Sequence, residues 1–191
     1  MILTPLLTSG GIVALAEMGD KTQLLAIVLA CRFRRAGPVI AGIFVATLAN
    51  HALAAWAGAA LAAWFDGPLF RYAVAASFIA MAAWTLVPDK IDVEDTPPRH
   101  GAFLTTLIAF FIVEIGDKTQ VATIALGARF HDVVAVAIGT TLGMMAANVP
   151  AVLLGQKIIA RVPLRTVHVA AAVVFLGLGL WLAAQTAGWF G

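Results

Sequence analysis

The sequence predicts an all-α polytopic membrane protein, and its composition is the first reason. Of its 191 residues, 62% are hydrophobic and only 12% are charged, whereas about a quarter of the residues in soluble domains are charged. The second reason is that apolar runs of the length needed to cross a bilayer, about 20 residues, recur along the chain. The net charge of +2 gives no argument for nucleic acid, so the lipid bilayer is the predicted environment.

Six apolar segments are predicted to span the membrane as helices. Polar stretches with turn residues separate them, such as Arg32–Pro38 and Phe65–Pro68. The first segment lacks a basic start and carries two acids, so we expect a mature helix and not a cleaved signal peptide. Cys31 is the single cysteine, which excludes an internal disulfide. The predicted spans are 3–31, 37–63, 69–88, 101–128, 132–158 and 166–188.

The two halves of the chain align without a gap at an offset of 97 residues. The octapeptide Ala16–Gln23 returns as Val113–Gln120. Matches in all three helices of each half indicate an internal duplication. We therefore predict a first three-helix repeat over 1–88, a cytoplasmic linker over 89–100 and a second repeat over 101–191. The further matched pairs are Gly42 with Gly139, His51 with Asn148, Gly58 with Gly155, Phe78 with Phe175, and Trp84 with Trp181.

An odd number of spans in each half predicts that the second repeat is inverted relative to the first. Inverted repeats are typical of transporters, which bind substrate near the midplane. Basic residues favour the cytoplasmic side, and here they place the linker in the cytoplasm and both termini outside it, in a bacterial plasma membrane. Only Arg71 and Arg129 fall on the outer side. The basic residues on the inner side are Arg32, Arg34, Arg35, Lys90, Arg99, Lys157, Arg161 and Arg165. The oligomeric state is left open.

Each octapeptide places two acids and a lysine in the middle of an apolar segment. A charged residue at the centre of a membrane helix costs about 2.5–3.5 kcal/mol on insertion scales, and such residues usually mark a substrate or ion pathway. On a continuous helix the acids and the glutamine of each copy would share one face. Carboxylate and amide oxygens together suit a hard divalent cation such as Ca²⁺, Mg²⁺ or Mn²⁺. The predicted ligands are Glu17, Asp20, Gln23, Glu114, Asp117 and Gln120.

The two lysines are predicted to neutralise acids when no metal is bound. Lys21 follows Glu17, and Lys118 follows Glu114, by four residues, which is the favourable order for an ion pair on a helix. Four acids and two lysines leave a formal charge of −2, which one divalent cation or protons would cancel. A structural alternative is that these groups are interhelical salt bridges without a ligand.

Small and hydroxyl residues inside the motif predict a local opening of the helix or a close backbone approach. Gly19 and Gly116 lie between the acids and permit either arrangement. Thr22 and Thr119 are expected to bond to the carbonyl four residues back.

Two further polar residues occupy equivalent places in the second and fifth spans. For His51 and Asn148 we keep two interpretations open, a packing role and a place in the lining of the cavity. Solvated positions are predicted for the acidic cluster of the linker and for three other histidines, which are His100, His131 and His168.

The motif E-x-G-D-[KR]-[ST], once in each three-helix half, resembles that of the Gdt-type cation exchanger family. This family includes the Golgi transmembrane protein 165 and bacterial manganese exporters. The resemblance covers essentially the whole chain, and neither copy departs from the motif. It implies a proton-coupled Mn²⁺ or Ca²⁺ exchanger in which the motif acids bind the cation, here Glu17, Asp20, Glu114 and Asp117.

The predicted function is therefore proton-coupled antiport that exports Mn²⁺, with Ca²⁺ left open as a substrate and with no cofactor besides the transported cation. A passive divalent cation channel is the first alternative. An intramembrane enzyme that uses metal to activate water is the second. The sequence has no H-E-x-x-H motif or phosphate-binding loop, and the motif halves are nearly identical, which disfavours an enzyme.

Overall fold

The computed structural model describes residues 2–65, 67–87, 101–155 and 164–189. These residues form eight α-helices and no strand, which confirms the all-α class for the described ranges. The linker 89–100 with its acidic cluster, Lys157 and Arg161 lie outside the described residues, so the predictions for them are not addressed. The helices are α1 (Leu3–Glu17), α2 (Lys21–Phe33), α3 (Ala36–Trp64), α4 (Pro68–Thr85), α5 (Ala102–Glu114), α6 (Lys118–Phe130), α7 (Val133–Leu154) and α8 (Leu164–Thr186).

Within the described part of the chain, three helices are long and apolar enough to cross a membrane, namely α3, α7 and the Arg165–Thr186 part of α8. The shorter helices α1 and α5 are also apolar. Leucine, tryptophan and valine side chains lie exposed on the outside of the bundle, as a bilayer environment requires. These features support an integral membrane protein, while the arrangement of six spans in inverted repeats stays a prediction.

The first and fourth predicted spans are each divided into two helices, which differs from the continuous helices expected over 3–31 and 101–128. The backbone leaves the helix at Met18–Asp20 and again at Ile115–Asp117. Gly19 has φ of 83° and Gly116 has φ of 77°, a left-handed conformation that glycine adopts without steric cost. The expected single helical face is therefore wrong, and the other expectation, that the helix opens at glycine, is confirmed.

The motif glutamines satisfy the backbone at both openings. The Gly19 N–H donates to Oε1 of Gln23 at 2.9 Å, and the Gly116 N–H donates to Oε1 of Gln120 at 2.8 Å. Inside a bilayer an unpaired backbone amide has no water to bond, so a broken helix needs such a side chain. Glutamine therefore accepts the equivalent backbone hydrogen bond in each of the two halves.

The two halves contact each other reciprocally. Helix α1 packs on α7, and the equivalent α5 packs on α3. A Cβ added to Gly139 would lie 2.4 Å from the Leu6 carbonyl oxygen, and one added to Gly42 would lie 2.8 Å from the Phe103 carbonyl oxygen. These pairs are equivalent at the offset of 97 residues. Each half therefore presents the same contact to the other, as an approximate two-fold relation requires.

Helices α4 and α8 pack on each other beside this core. Phe78 and Phe175 are both fully buried there, with ring centroids 6.4 Å apart. They also occupy equivalent positions of the two halves. The contacts of α1, α3, α5 and α7 bring the two helix breaks together inside the bundle.

Candidate metal centre

Three acids from the two motif copies converge where the helices break. Glu17 ends α1, while Asp20 and Asp117 precede the first residues of α2 and α6. One carboxylate oxygen from each of the three lies within 4.8 Å of the others. All three side chains are buried, with exposed fractions of 0%, 0% and 2%. Such a group of hard oxygen donors is of the kind that Mn²⁺, Ca²⁺ and Mg²⁺ prefer.

Each lysine pairs with an aspartate of the other motif copy. Lys118 Nζ lies 2.5 Å from Asp20 Oδ1, and Lys21 Nζ lies 2.5 Å from Asp117 Oδ1. The expected pairing of each lysine with the glutamate of its own copy is therefore wrong. That expectation assumed an unbroken helix, and the break separates the glutamate and the lysine into different helices.

Both motif threonines donate to one glutamate. Thr22 Oγ1 donates to Glu17 Oε2 at 2.5 Å, and Thr119 Oγ1 donates to Glu17 Oε1. The expected bond to a carbonyl four residues back is wrong for both, because α2 and α6 start only one residue before the threonine and offer no such helical carbonyl. Glu17 is consequently held by two hydroxyl groups, one from each copy.

Glu114 has a different environment from its equivalent, Glu17. Among the described residues neither of its oxygens has a hydrogen-bond partner, and it is not in the group of three acids. His51 Nε2 lies 3.9 Å from Glu114 Oε2, and both side chains are fully buried. His51 therefore lies beside the second motif copy, and its place in the lining of a cavity stays a prediction.

Asn148 occupies the position equivalent to His51 but bonds within its own helix. Its Nδ2 donates to the Met144 carbonyl at 3.1 Å, while its Oδ1 is buried with no partner in the described part of the chain. The site is thus asymmetric where the two halves differ in sequence.

The predicted ligand role of the two glutamines stays a prediction. In the structure their amide oxygens accept hydrogen bonds from the backbone N–H groups of Gly19 and Gly116. Gln23 Nε2 also donates to the Ala147 carbonyl at 2.9 Å. The glutamines lie beside the acids, and this position agrees both with a role in supporting the site and with direct binding of the cation.

Sequence reasoning missed two residues at the breaks. Asn50 is buried and its Nδ2 donates to the Phe111 carbonyl at 3.1 Å. Its place next to His51 in an apolar helix was a signal that could have found it. His168, expected at a solvated surface, is half-buried, and its Nε2 donates to the Met18 carbonyl at 2.9 Å. No local pattern marked it, because this contact joins α8 to a distant helix end.

The two cross-copy ion pairs differ in exposure. Lys118, paired with Asp20, is 1% exposed, whereas Lys21, paired with Asp117, is 23% exposed. At the break of the first copy α8 packs on α1 and His168 covers Met18, while the equivalent Ile115 is 59% exposed. One side of the centre is therefore covered by protein and the other is not.

The comparison with protein families shows which family the chain belongs to. The family model described as "Divalent cation/proton antiporter GDT1" matches residues 5–93 and 102–189, which includes both motif copies. The chain belongs to the GDT1 family. This confirms the resemblance drawn from the doubled motif, and GDT1 is a family of cation transporters and not of enzymes. No solved structure matches the chain.

Individual relatives agree with the GDT1 family. A Vibrio cholerae protein named "Putative manganese exporter" is 49% identical over 169 residues, which cover 88% of this chain and 84% of the relative. "GDT1-like protein 3" of Arabidopsis thaliana is 26% identical over 94% of this chain and 70% of its own length. "GDT1-like protein sll0615" of Synechocystis is 26% identical over 86% of this chain and 89% of its own length.

Proposed function

We propose that the chain exports Mn²⁺ from the cytoplasm in exchange for protons, with Ca²⁺ as the alternative substrate. The observation that carries this proposal is the buried group of Glu17, Asp20 and Asp117, whose oxygens lie within 4.8 Å of one another. Membership of the GDT1 family supports cation/proton exchange. The name of the Vibrio cholerae relative supports Mn²⁺.

The ion pairs set the charge that the transported species must balance. Asp20 with Lys118 and Asp117 with Lys21 are neutral pairs. Glu17 and Glu114 then remain, and either two protons or one divalent cation would neutralise them. In this scheme the cation competes with the lysine ammonium groups for the aspartate oxygens, and the lysines return when it leaves. The empty, protonated site would then cross between its two states without a net buried charge.

Alternating access is proposed to follow the asymmetry of the centre. In the predicted topology α8 begins on the cytoplasmic side, so the contact of His168 with Met18 would close the site towards the cytoplasm. The uncovered side, near Ile115 and Lys21, would then face outwards. Loading from the cytoplasm requires α8 to separate from α1, and the openings at Gly19 and Gly116 would serve as hinges.

Transport by the purified protein in proteoliposomes tests this function. A pH gradient alone should drive Mn²⁺ against its own concentration gradient, and an ionophore that collapses the pH gradient should stop it. Flux only down the Mn²⁺ gradient would instead indicate a channel, and absence of flux would contradict both. Asp132→Asn is the matched control for substitutions of the motif acids. Asp132 accepts a hydrogen bond from the Ala135 N–H at the start of α7 and lies outside the three-acid group.

A further inference from the structure

A polar cavity lies at one end of the helix bundle, away from the three acids. It has a volume of about 190 Å³ and lies between the end of α3, the start of α4, and the ends of α6 and α8. Its polar lining consists of Arg71, Arg129, His131, Gln185 and Thr186. Along α6 this end is about 16 Å from Lys118, at 1.5 Å per residue. None of the three acids is among the described residues that line this cavity.

The cavity gathers positive charge that the described lining does not neutralise. Arg71 comes from the first half and Arg129 from the second, and their like charges act on each other across it. No carboxylate is among its described lining residues. Arg129 donates to the neutral Gln185 Oε1 at 3.3 Å, and its guanidinium lies 5.4 Å from the centroid of the Trp181 ring. These contacts orient Arg129 but leave its charge in place.

The same two arginines are the exceptions to the distribution of basic residues along the chain. Both fall on the side where the positive-inside rule disfavours them. Two arginines that meet there in space repel each other unless an anion lies between them. Planar guanidinium groups bind phosphate oxygens through paired hydrogen bonds, and this geometry favours phosphate over a simple halide.

Aromatic residues place this end of the bundle at the membrane surface. Trp64 is the last residue of α3, Trp181 lies near the end of α8, and Trp189 follows α8; they are 82%, 50% and 80% exposed. Exposed tryptophans of this kind concentrate at the level of the lipid headgroups. A phosphate group at this depth would be within reach of both guanidinium groups.

We propose that Arg71 and Arg129 form a phosphate-binding site at this end of the bundle. The ligand is a phosphate group with net negative charge, either the headgroup of an anionic phospholipid or free phosphate. His131 supplies a further donor beside it. The bound anion screens the repulsion between the two arginines and joins α4 of the first half to α6 and α8 of the second.

Native mass spectrometry of the purified protein with phosphatidylglycerol tests the lipid source, and calorimetric titration with sodium phosphate tests the free anion. The wild type should retain one phosphatidylglycerol or bind one phosphate. The double variant Arg71→Gln/Arg129→Gln should bind at least about tenfold more weakly, since a hydrogen bond to a charged group contributes a factor of about this size. Arg35→Gln/Arg165→Gln removes the same charge from exposed positions near the other helix ends and should bind as the wild type does.

The two arms identify the source of the phosphate, and either positive result supports the site. Thr186→Trp should fill the cavity while both charges remain, and it should also lose the ligand; this variant decides the case if the double variant does not fold. Equal binding by the wild type, the arginine double variant and Thr186→Trp in both arms would overturn the proposal. Binding of neither ligand by the wild type would overturn it as well.

Discussion

Lys118 of the second motif copy lies 2.5 Å from Asp20 of the first, and the equivalent pair joins Lys21 to Asp117 at the same distance. The motif is therefore one structure assembled from both halves, since neither copy neutralises its own aspartate. This relationship makes the centre depend on the packing of the two halves. It also makes the consequences of removing each lysine different, because only one of the two pairs is fully buried.

Lys118→Ala should destabilise the protein more than Lys21→Ala. Removing Lys118 takes the ion pair away from the buried Asp20 carboxylate, and breaking such a buried pair costs about 3–5 kcal/mol. Lys21 is 23% exposed, so solvent screens the loss of its charge. Thermal unfolding in detergent measures the difference, and Asp20→Asn added to Lys118→Ala should recover part of it. Equal losses from the two lysine variants would show that the difference in burial has no energetic consequence.

The four motif acids should separate into two classes. Glu17→Gln, Asp20→Asn and Asp117→Asn should abolish both cation binding and transport, because these three carboxylates lie together. Glu114→Gln should abolish proton-driven transport while retaining measurable cation binding, because Glu114 lies outside the three-acid group and beside His51. Calorimetric Mn²⁺ titration and proteoliposome flux measure the two properties, with Asp132→Asn as the control. Unchanged transport in any two of the four would contradict the site.

A bridge between α1 and α8 should stop exchange reversibly. The variant carries Met18→Cys and His168→Cys in a Cys31→Ser background. A short bifunctional reagent that joins the two cysteines would hold α8 against α1, where His168 contacts Met18 in the wild type. Transport should fall in proportion to the fraction joined, and a cleavable reagent should allow recovery. The single-cysteine variants are the controls. Full activity after complete joining would show that this contact does not open during transport.

The native cysteine reports the orientation of the chain. Cys31 is exposed near the end of α2, which the predicted topology places on the cytoplasmic side. An impermeant maleimide should label it in inside-out vesicles and not in intact cells. Thr4→Cys in a Cys31→Ser background should show the reverse pattern, since Thr4 is exposed at the start of α1. The opposite result for both would invert the assigned orientation.

The sequence predicted helix positions well where the apolar pattern alone decides them. The bounds expected for α3, α4 and the start of α8 agree with the structure to within a few residues, because composition and turn residues define these elements. The breaks at Gly19 and Gly116 were expected only as one option, since glycine permits but does not require a positive φ.

The partners of the site residues were less predictable than their identities. The doubled motif identified the residues of the centre, but a helical spacing rule assigned the lysines and threonines to the wrong partners. Contacts such as Lys118 with Asp20 and His168 with Met18 join residues about 100 or more positions apart. They depend on how the two halves pack, and no local pattern in the sequence contains that information.

Proton release on cation binding tests the central claim most directly. Carboxylates bind a metal in their deprotonated form, so protons and Mn²⁺ compete and the affinity for Mn²⁺ should rise with pH. Calorimetric titration in buffers of different ionisation enthalpy counts the protons released by each cation. If Glu17 and Glu114 hold the protons, roughly two should leave with each Mn²⁺ bound, and Glu114→Gln should lower this number by about one. A count of zero, with an affinity that does not change across neutral pH, would contradict proton antiport at this centre.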